Sequence, residues 1–355
     1  MRLEDLGYRA ELENYRIEEN LTSFIIGRVT SEHKERYTVK TEKGEFESEI
    51  LGSLRFSAKS RSDFPAVGDW VAISEYDEDK GLIHAVLPRK TIVARKGVNK
   101  FGEKQIIATN IDYAFIVQAA DQDFNINRLE RYLTICYTSK VKPIIILTKI
   151  DLISDFELNN ILNNIEERIK QVPTIAISNE THDGYDKLDE TILKGMTYCL
   201  LGSSGVGKST LTNNLSGKSY MKTNSISVST NKGRHITSHR ELIVIENGGI
   251  LIDNPGMREV GITDTANGID ITFDSIAKFS KDCKYSDCTH VHEKGCAVID
   301  AVDKEEIDRD SYDNYLKMEK EREHFESSIV ERRKKDKDLG KMIKNFKNIK
   351  KQIKG

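Results

Sequence analysis

A chain of 355 residues is long enough for two or three domains. Its 38% hydrophobic content includes no apolar run that could span a bilayer, and Met1 to Asn20 is polar and acidic, so neither a membrane protein nor a secretory signal is expected. The net charge of −3 hides an asymmetry: Glu331 to Gly355 carries eleven Lys/Arg against three Asp/Glu, +8 in all, which leaves −11 elsewhere and suits an acidic partner such as nucleic acid.

Residues 1–20 read as a short polar helix or extension with no assigned role. Residues 21–90 change character. Phe24 to Val29, Tyr37 to Val39, Phe46 to Ile50, Trp70 to Ile73 and Leu82 to Leu87 are β-rich runs separated by turn signals such as Glu42-Lys43-Gly44. Five short strands in so little chain predict an OB-type barrel, an architecture that often contacts nucleic acid. Residues 91–110 read as a basic linker. From 111 to 275 strands and helices alternate. Strands at Tyr113 to Gln118, Pro143 to Thr148, Pro173 to Ile177, Thr197 to Leu201, Leu242 to Glu246 and Ile250 to Asp253 are expected. With amphipathic helices at Asn127 to Tyr137 and Asp155 to Lys170, they predict a doubly wound α/β sheet. Cys136 and Cys199 fall in these apolar patterns and read as small buried hydrophobes. Residues 276–330 hold a Cys/His cluster and a charged helix over Asp303 to Glu326. Residues 331–355 form a basic amphipathic tail suited to RNA. Five cysteines without a secretory signal fit the reducing cytoplasm.

Chemistry concentrates in the α/β region. Gly202-Ser203-Ser204-Gly205-Val206-Gly207-Lys208-Ser209 fits G-x-x-x-x-G-K-[ST], with a strand before it and a helix beginning at Thr210 after it. The glycines let backbone N–H groups turn around phosphate oxygens, Lys208 reaches the β- and γ-phosphates, and the Ser209 hydroxyl holds Mg²⁺. Ile250 to Gly256 is a buried strand ending in D-x-P-G. There Asp253 would hold Mg²⁺ through water, and the Gly256 N–H would meet the γ-phosphate. Thr148-Lys149-Ile150-Asp151 is a T-K-x-D sequence at a strand end. Asp151 can accept from guanine N1–H and N2–H₂, which selects GTP over ATP, and the Lys149 stem can lie along the base. Ser178 and Asn179 follow the next strand where a base-closing loop belongs. Asn179 stands in place of Ala, so only a backbone role is expected of it. The base motif precedes the phosphate loop by about fifty residues, the reverse of the ordinary order, and a circularly permuted G domain explains that. Cys283-x₄-Cys288-x-His290-x₅-Cys296 supplies three thiolates and an imidazole, a donor set for structural Zn²⁺, with His292 as an alternative fourth ligand.

These motifs in this order resemble the RsgA (YjeQ/YloQ-type) family of circularly permuted GTPases of small ribosomal subunit biogenesis. So do Gly68-Asp69-Trp70-Val71, Val86 to Lys90 and Gly233 to Leu242. The resemblance spans about Leu21 to Val298. It implies GTP hydrolysis stimulated by the small subunit, with nucleotide-dependent rRNA binding and release in late maturation, by a monomer away from membranes. It favours His290 as the zinc ligand. It makes Gly233 to Leu242 a first switch in which Thr237, or failing it Ser238, closes over Mg²⁺. Met257 stands where many GTPases place a water-orienting Gln, so slow intrinsic turnover is expected, with His235 or a partner positioning the water. The alternative is an RNA-binding assembly scaffold whose nucleotide pocket does not hydrolyse.

Overall fold

The computed structural model describes residues 1–33, 35–96, 104–217, 241–253 and 266–323. The chain opens with a tight 3₁₀ turn (Leu3–Leu6) and helix α1 (Ala10–Glu18). Five strands then close on themselves: β1 (Ile25–His33), β2 (Arg36–Thr41), β3 (Glu45–Ile50), β4 (Trp70–Asp77) and β5 (Lys80–Val86), with helix α2 (Gly52–Ser57) between β3 and β4. Pairing runs β1-β2-β3-β5-β4 and back to β1, antiparallel except between β3 and β5. This is the OB-type barrel. Its interior follows from strand periodicity: Phe46, Ser48 and Ile50 of β3 are buried while Glu45, Glu47 and Glu49 face out.

The stretch read as a linker contains an antiparallel hairpin, β6 (Ile92–Lys96) with β7 (Lys104–Thr109). Its basic residues masked the β-branched Ile92, Val93, Ile106 and Ile107. Of these Val93 and Ile107 are buried in the core of the following α/β layers.

Those layers are β8 (Tyr113–Ala119), α3 (Ile126–Thr138), β9 (Lys142–Thr148), α4 (Asp155–Arg168), β10 (Thr174–Ala176), α5 (Tyr185–Thr191), β11 (Thr197–Leu201), α6 (Lys208–Ser216), β12 (Glu241–Val244), β13 (Ile250–Asp253) and α7 (Ala266–Thr272). Local sequence sets the helix starts: Asn125 caps α3 by accepting from Arg128 N–H, and Ser154 with Glu157 forms a capping box on α4. Strands β10-β9-β8-β11-β13 are parallel, and β12 closes antiparallel on β13. Both faces are covered. Ala114, Ile116, Ile145 and Leu147 pack with α3 and α4, while the alternate residues Phe115, Val117, Ile144 and Ile146 pack with α5 and α6. Cys136 and Cys199 are buried here, and burial raises both thiols, Cys199 to about 12, which fits inert core residues. At one point, Ser31 opposite Glu241, β1 also pairs with β12, so barrel and α/β sheet are continuous.

Buried polar groups tie barrel to sheet. Arg28, 1% exposed, donates to the carbonyls of Leu6 (2.6 Å), Gly68 (3.1 Å) and Asn110 (3.1 Å), and its guanidinium lies over the Trp70 ring. Burial lowers its pKa to about 10, still far above neutrality, so three carbonyls serve a full charge. Asp69, fully buried, accepts from Arg89, Thr109 Oγ1 and Ala66 N–H. Gly68 beside it has φ +95°, and a Cβ there would collide with the Thr109 carbonyl. The extension at residues 1–20 is a strap. Leu6 and Tyr8 cover Trp70, while Arg9 pairs with Asp112 (2.7 Å) and Asp5 with Lys194 (3.0 Å) on the α/β side.

The described residues form two compact units, one through 274 and one from 275 onward. The second contains most of α8 (Asp274–Phe279), α9 (Ala297–Asp303) and a helix over 309–323, α10. The charged helix expected from Asp303 therefore begins later, after Glu305 turns left-handed at φ 60°. Among the described residues no helix is long and apolar enough to cross a membrane.

Candidate functional site

In a parallel sheet the carboxyl ends of all strands lie along one edge, and the crevice opens where connections leave in opposite directions. Here that switch falls between β8 and β11, because the chain goes from β8 to β9 on one side and later returns to β11 on the other. The sequence motifs follow the ends of β9, β10, β11 and β13, so Thr148–Asp151, Ser178, Gly202–Ser209 and Asp253 share that edge.

The glycine loop runs from the end of β11 to the first turn of α6. Gly202, Gly205 and Gly207 have φ values of +152°, +82° and +89°. Side chains other than Gly resist such angles. Lys208 Nζ folds back over the loop, donating to Gly202 O (2.8 Å) and to Ser203 O. Ser209 and Thr210 occupy the first turn of α6, where unpaired N–H groups and the helix dipole favour an anion.

The T-K-x-D segment is bonded to this loop. Thr148, fully buried, donates from Oγ1 to Val206 O at 2.7 Å. Lys149 adopts φ 61°, and its ammonium pairs with Asp121 Oδ2 at 2.9 Å, after the end of β8. Burial raises the Asp121 pKa, but the Lys149 bond and the Asp123 N–H outweigh it and hold the carboxyl below its ordinary value. Ser178 Oγ accepts from the N–H groups of Glu180 (3.2 Å) and Thr181 (3.1 Å), which leaves its proton for Asp151 Oδ1 at 2.6 Å. The carboxylate is thereby oriented by a hydroxyl whose own acceptor sites are filled.

Asn179 does more than its expected backbone role. Its Nδ2 donates to Gly207 O (3.2 Å), and its Oδ1 accepts from Tyr185 OH (2.8 Å). Arg128 on α3 donates to Ser203 Oγ at 2.9 Å. Sequence reasoning missed Asp121, Arg128 and the Asn179 side chain. Only Asp121 carried a signal, as a carboxylate just past an apolar strand. Thr237, Ser238, His235, His239, Gly256 and Met257 lie outside the described residues, as does the tail.

The second unit brings Cys283, Cys288, His290 and Cys296 together, their ligand atoms within 4.8 Å of one another. Cys283 and Cys296 sulfurs are 3.8 Å apart, and His290 Nδ1 lies 3.6 and 3.4 Å from them. A tetrahedron with metal–sulfur bonds of about 2.3 Å and a metal–nitrogen bond of about 2.0 Å has edges of about 3.8 and 3.5 Å. The cluster therefore fits a four-coordinate metal ion with no open position. His290 is buried, at φ 59°, and its carbonyl accepts from Tyr312 OH at 2.5 Å; His292 is exposed and stands outside the cluster. Glu293 shapes the turn by accepting from the N–H groups of Thr289, Val291 and His292.

Residues 86–263 match a family model described as RsgA GTPase, and residues 197–336 match one described as 50S ribosome-binding GTPase. The second match begins at β11 and so omits the base motif, which in this chain comes earlier. The chain is 38% identical over 329 residues to small ribosomal subunit biogenesis GTPase RsgA 1 of Bacteroides thetaiotaomicron, covering 91% of this chain and 90% of that one. Among solved structures it superposes on YjeQ from Thermotoga maritima with a TM-score of 0.61 at 25% identity, covering 83% of this chain and 96% of that one. It also superposes on YloQ, described as a circularly permuted GTPase, with a TM-score of 0.60 at 24% identity, covering 87% and 96%.

Proposed function

The chain belongs to the RsgA GTPase family and is a GTP hydrolase with a circularly permuted G domain, and from that premise we propose that it acts in late maturation of the small ribosomal subunit, binding and releasing rRNA as its nucleotide changes. The subunit accelerates hydrolysis. In this reading Asp151 grips the guanine edge, Lys149 and Ile150 flank the base, and Thr148 and Ser178 hold the loop. The backbone from Gly202 to Thr210 cradles the phosphates, and Lys208 neutralises the β- and γ-oxygens. Ser209, Asp253 and Thr237 would hold Mg²⁺, which supplies further charge neutralisation on the phosphates. The Gly256 N–H meets the γ-phosphate, and His235 positions the attacking water. Cys283, Cys288, His290 and Cys296 would hold one structural Zn²⁺, which supplies folding energy to the second unit. The protein works as a cytoplasmic monomer, with the 331–355 tail and the barrel contacting rRNA.

One observation carries the reading: the Thr148 Oγ1 bond to Val206 O, which makes the loop of Asp151 and the loop of Lys208 one continuous surface. Phosphate release should be slow for the protein alone and rise with purified small subunits; equal rates would remove the stimulation. Asp151→Asn should cut GTP affinity about a hundredfold, because the amide keeps one neutral acceptor and sets its NH₂ donor against a guanine N–H. The same variant should gain affinity for xanthosine triphosphate, whose C2 carbonyl can accept from the new amide. No gain would remove Asp151 from base recognition.

A further inference from the structure

The geometry points to Asn179 as a positioning residue that couples base recognition to the phosphate loop, an inference resting on the nucleotide site proposed above. Asn179 follows Ser178, whose hydroxyl orients Asp151. Its side chain and its backbone both reach α6, the helix that begins at Lys208. Nδ2 donates to Gly207 O at 3.2 Å, and its own carbonyl accepts from Asn214 Nδ2 at 3.1 Å, nearly two turns further along the helix. Tyr185 OH closes the ring, donating to Asn179 Oδ1 (2.8 Å) and accepting from Asn214 Nδ2 (2.9 Å).

The direction of every bond in this ring is fixed by its ends. Gly207 O and Asn179 O are backbone carbonyls and can only accept, so both amides must present their NH₂ groups to them. Asn214 then also donates to the phenol, and the phenol proton is left for Asn179 Oδ1. No alternative amide orientation satisfies all four contacts.

Gly207 O already accepts the helical bond from Leu211 N–H at 2.9 Å, so Asn179 occupies its second lone pair. A trans peptide places C=O and the next N–H on opposite sides. Holding the Gly207 carbonyl from the base side therefore aims the Lys208 N–H out of the helix end. The fit at Gly207 is tight: a Cβ on it would lie 2.6 Å from Asn179 Nδ2. The glycine thus makes room for this strut as well as for a φ of +89°. With the Thr148 bond to Val206 O and the Asn214 bond to the Asn179 carbonyl still in place, loss of the strut would loosen rather than abolish the register between base loop and phosphate helix, penalising ligands that span both.

The test compares GMP, which reaches only the first phosphate position, with GDP in the presence of Mg²⁺. Calorimetry would be run on the full-length protein and on Asn179→Ala, the near-isosteric Asn179→Asp, and Tyr185→Phe, each checked by thermal melting. The expected result is a GDP affinity about tenfold lower in Asn179→Ala, of the order of one well-placed hydrogen bond, with GMP changed less than about twofold. Asn179→Asp should lose more, because an acceptor would face a carbonyl, and Tyr185→Phe less, with the same sign. A folded variant in which GMP and GDP weaken by the same factor, or neither changes, overturns the coupling. Wild-type protein that binds ADP as well as GDP overturns the nucleotide reading itself, a result distinct from the first.

Discussion

Gly207 shows how much a single position can be asked to do. It needs a positive φ, and it faces Asn179 at a distance that excludes a methyl group. Gly207→Ala should cost about 1–3 kcal/mol in backbone strain alone. It should also weaken GDP binding more than it lowers the melting temperature would suggest, which parallel calorimetry and thermal unfolding can separate. The residues of the phosphate loop were legible in the sequence because their spacing is dictated by the backbone path around a phosphate. Asp151 was legible because a strand precedes it. Asn179 was not, since its partners Gly207, Tyr185 and Asn214 come from separate elements, and no local pattern records a bond across 28 residues. Thr148 carries no role in the sequence pattern beyond its place in the T-K-x-D segment. The structure gives it a definite bond, to Val206 O.

At the scale of elements, the strands and long helices were readable because each carries its own period. The N-terminal strap and the β6–β7 hairpin were not, because their meaning lies in what they touch. The strap is mostly polar, yet Leu6 is fully buried against the barrel beside Trp70, and its carbonyl serves the buried Arg28 guanidinium. Leu6→Ala should therefore destabilise the protein by about 2–5 kcal/mol. Urea unfolding monitored by Trp70 fluorescence, the chain having one tryptophan, checks this directly. A change below half a kilocalorie would mean that the strap only rests on the barrel. The Gly68-Asp69-Trp70 sequence, noticed first as a resemblance, acquires a physical reason. Gly68 permits close approach of Thr109, Asp69 gathers Arg89, Thr109 and the Ala66 N–H, and Trp70 fills the seam between strap and barrel.

Across the whole molecule, the two compact units are expected to depend on different forces. The first has large apolar cores on both faces of its sheet. The second is smaller: it buries Ile276, Val298, Val302, Ile307 and Met318, and its three cysteines and His290 bring their donor atoms within 4.8 Å of one another. Stripping metal with a strong chelator under reducing conditions should raise amide exchange throughout 275–323 while leaving β8, β9 and β11 protected and GDP binding intact. Protection unchanged in the second unit would mean that its helices hold without metal. Metal analysis of untreated protein should return one zinc per chain. The fold class and the metal donors were legible at this scale, because motif order and cysteine spacing survive any arrangement of the elements. The strap-mediated union of barrel and G domain was not, for it is built from contacts such as Arg9 with Asp112, a hundred residues apart.

The pairing of Ser31 with Glu241 has a consequence for solubility. A six-stranded twisted sheet ordinarily ends in two raw margins whose amide groups invite a stranger's strand. Here one margin, β10, is only three residues long, and the other, β12, is met by the barrel's own first strand. The barrel therefore serves as a bumper for its neighbour, and a fragment beginning after residue 110 would leave that side bare. A chain whose base motif was moved ahead of its phosphate loop by permutation retains, in this way, a finished sheet margin that its G domain alone would lack.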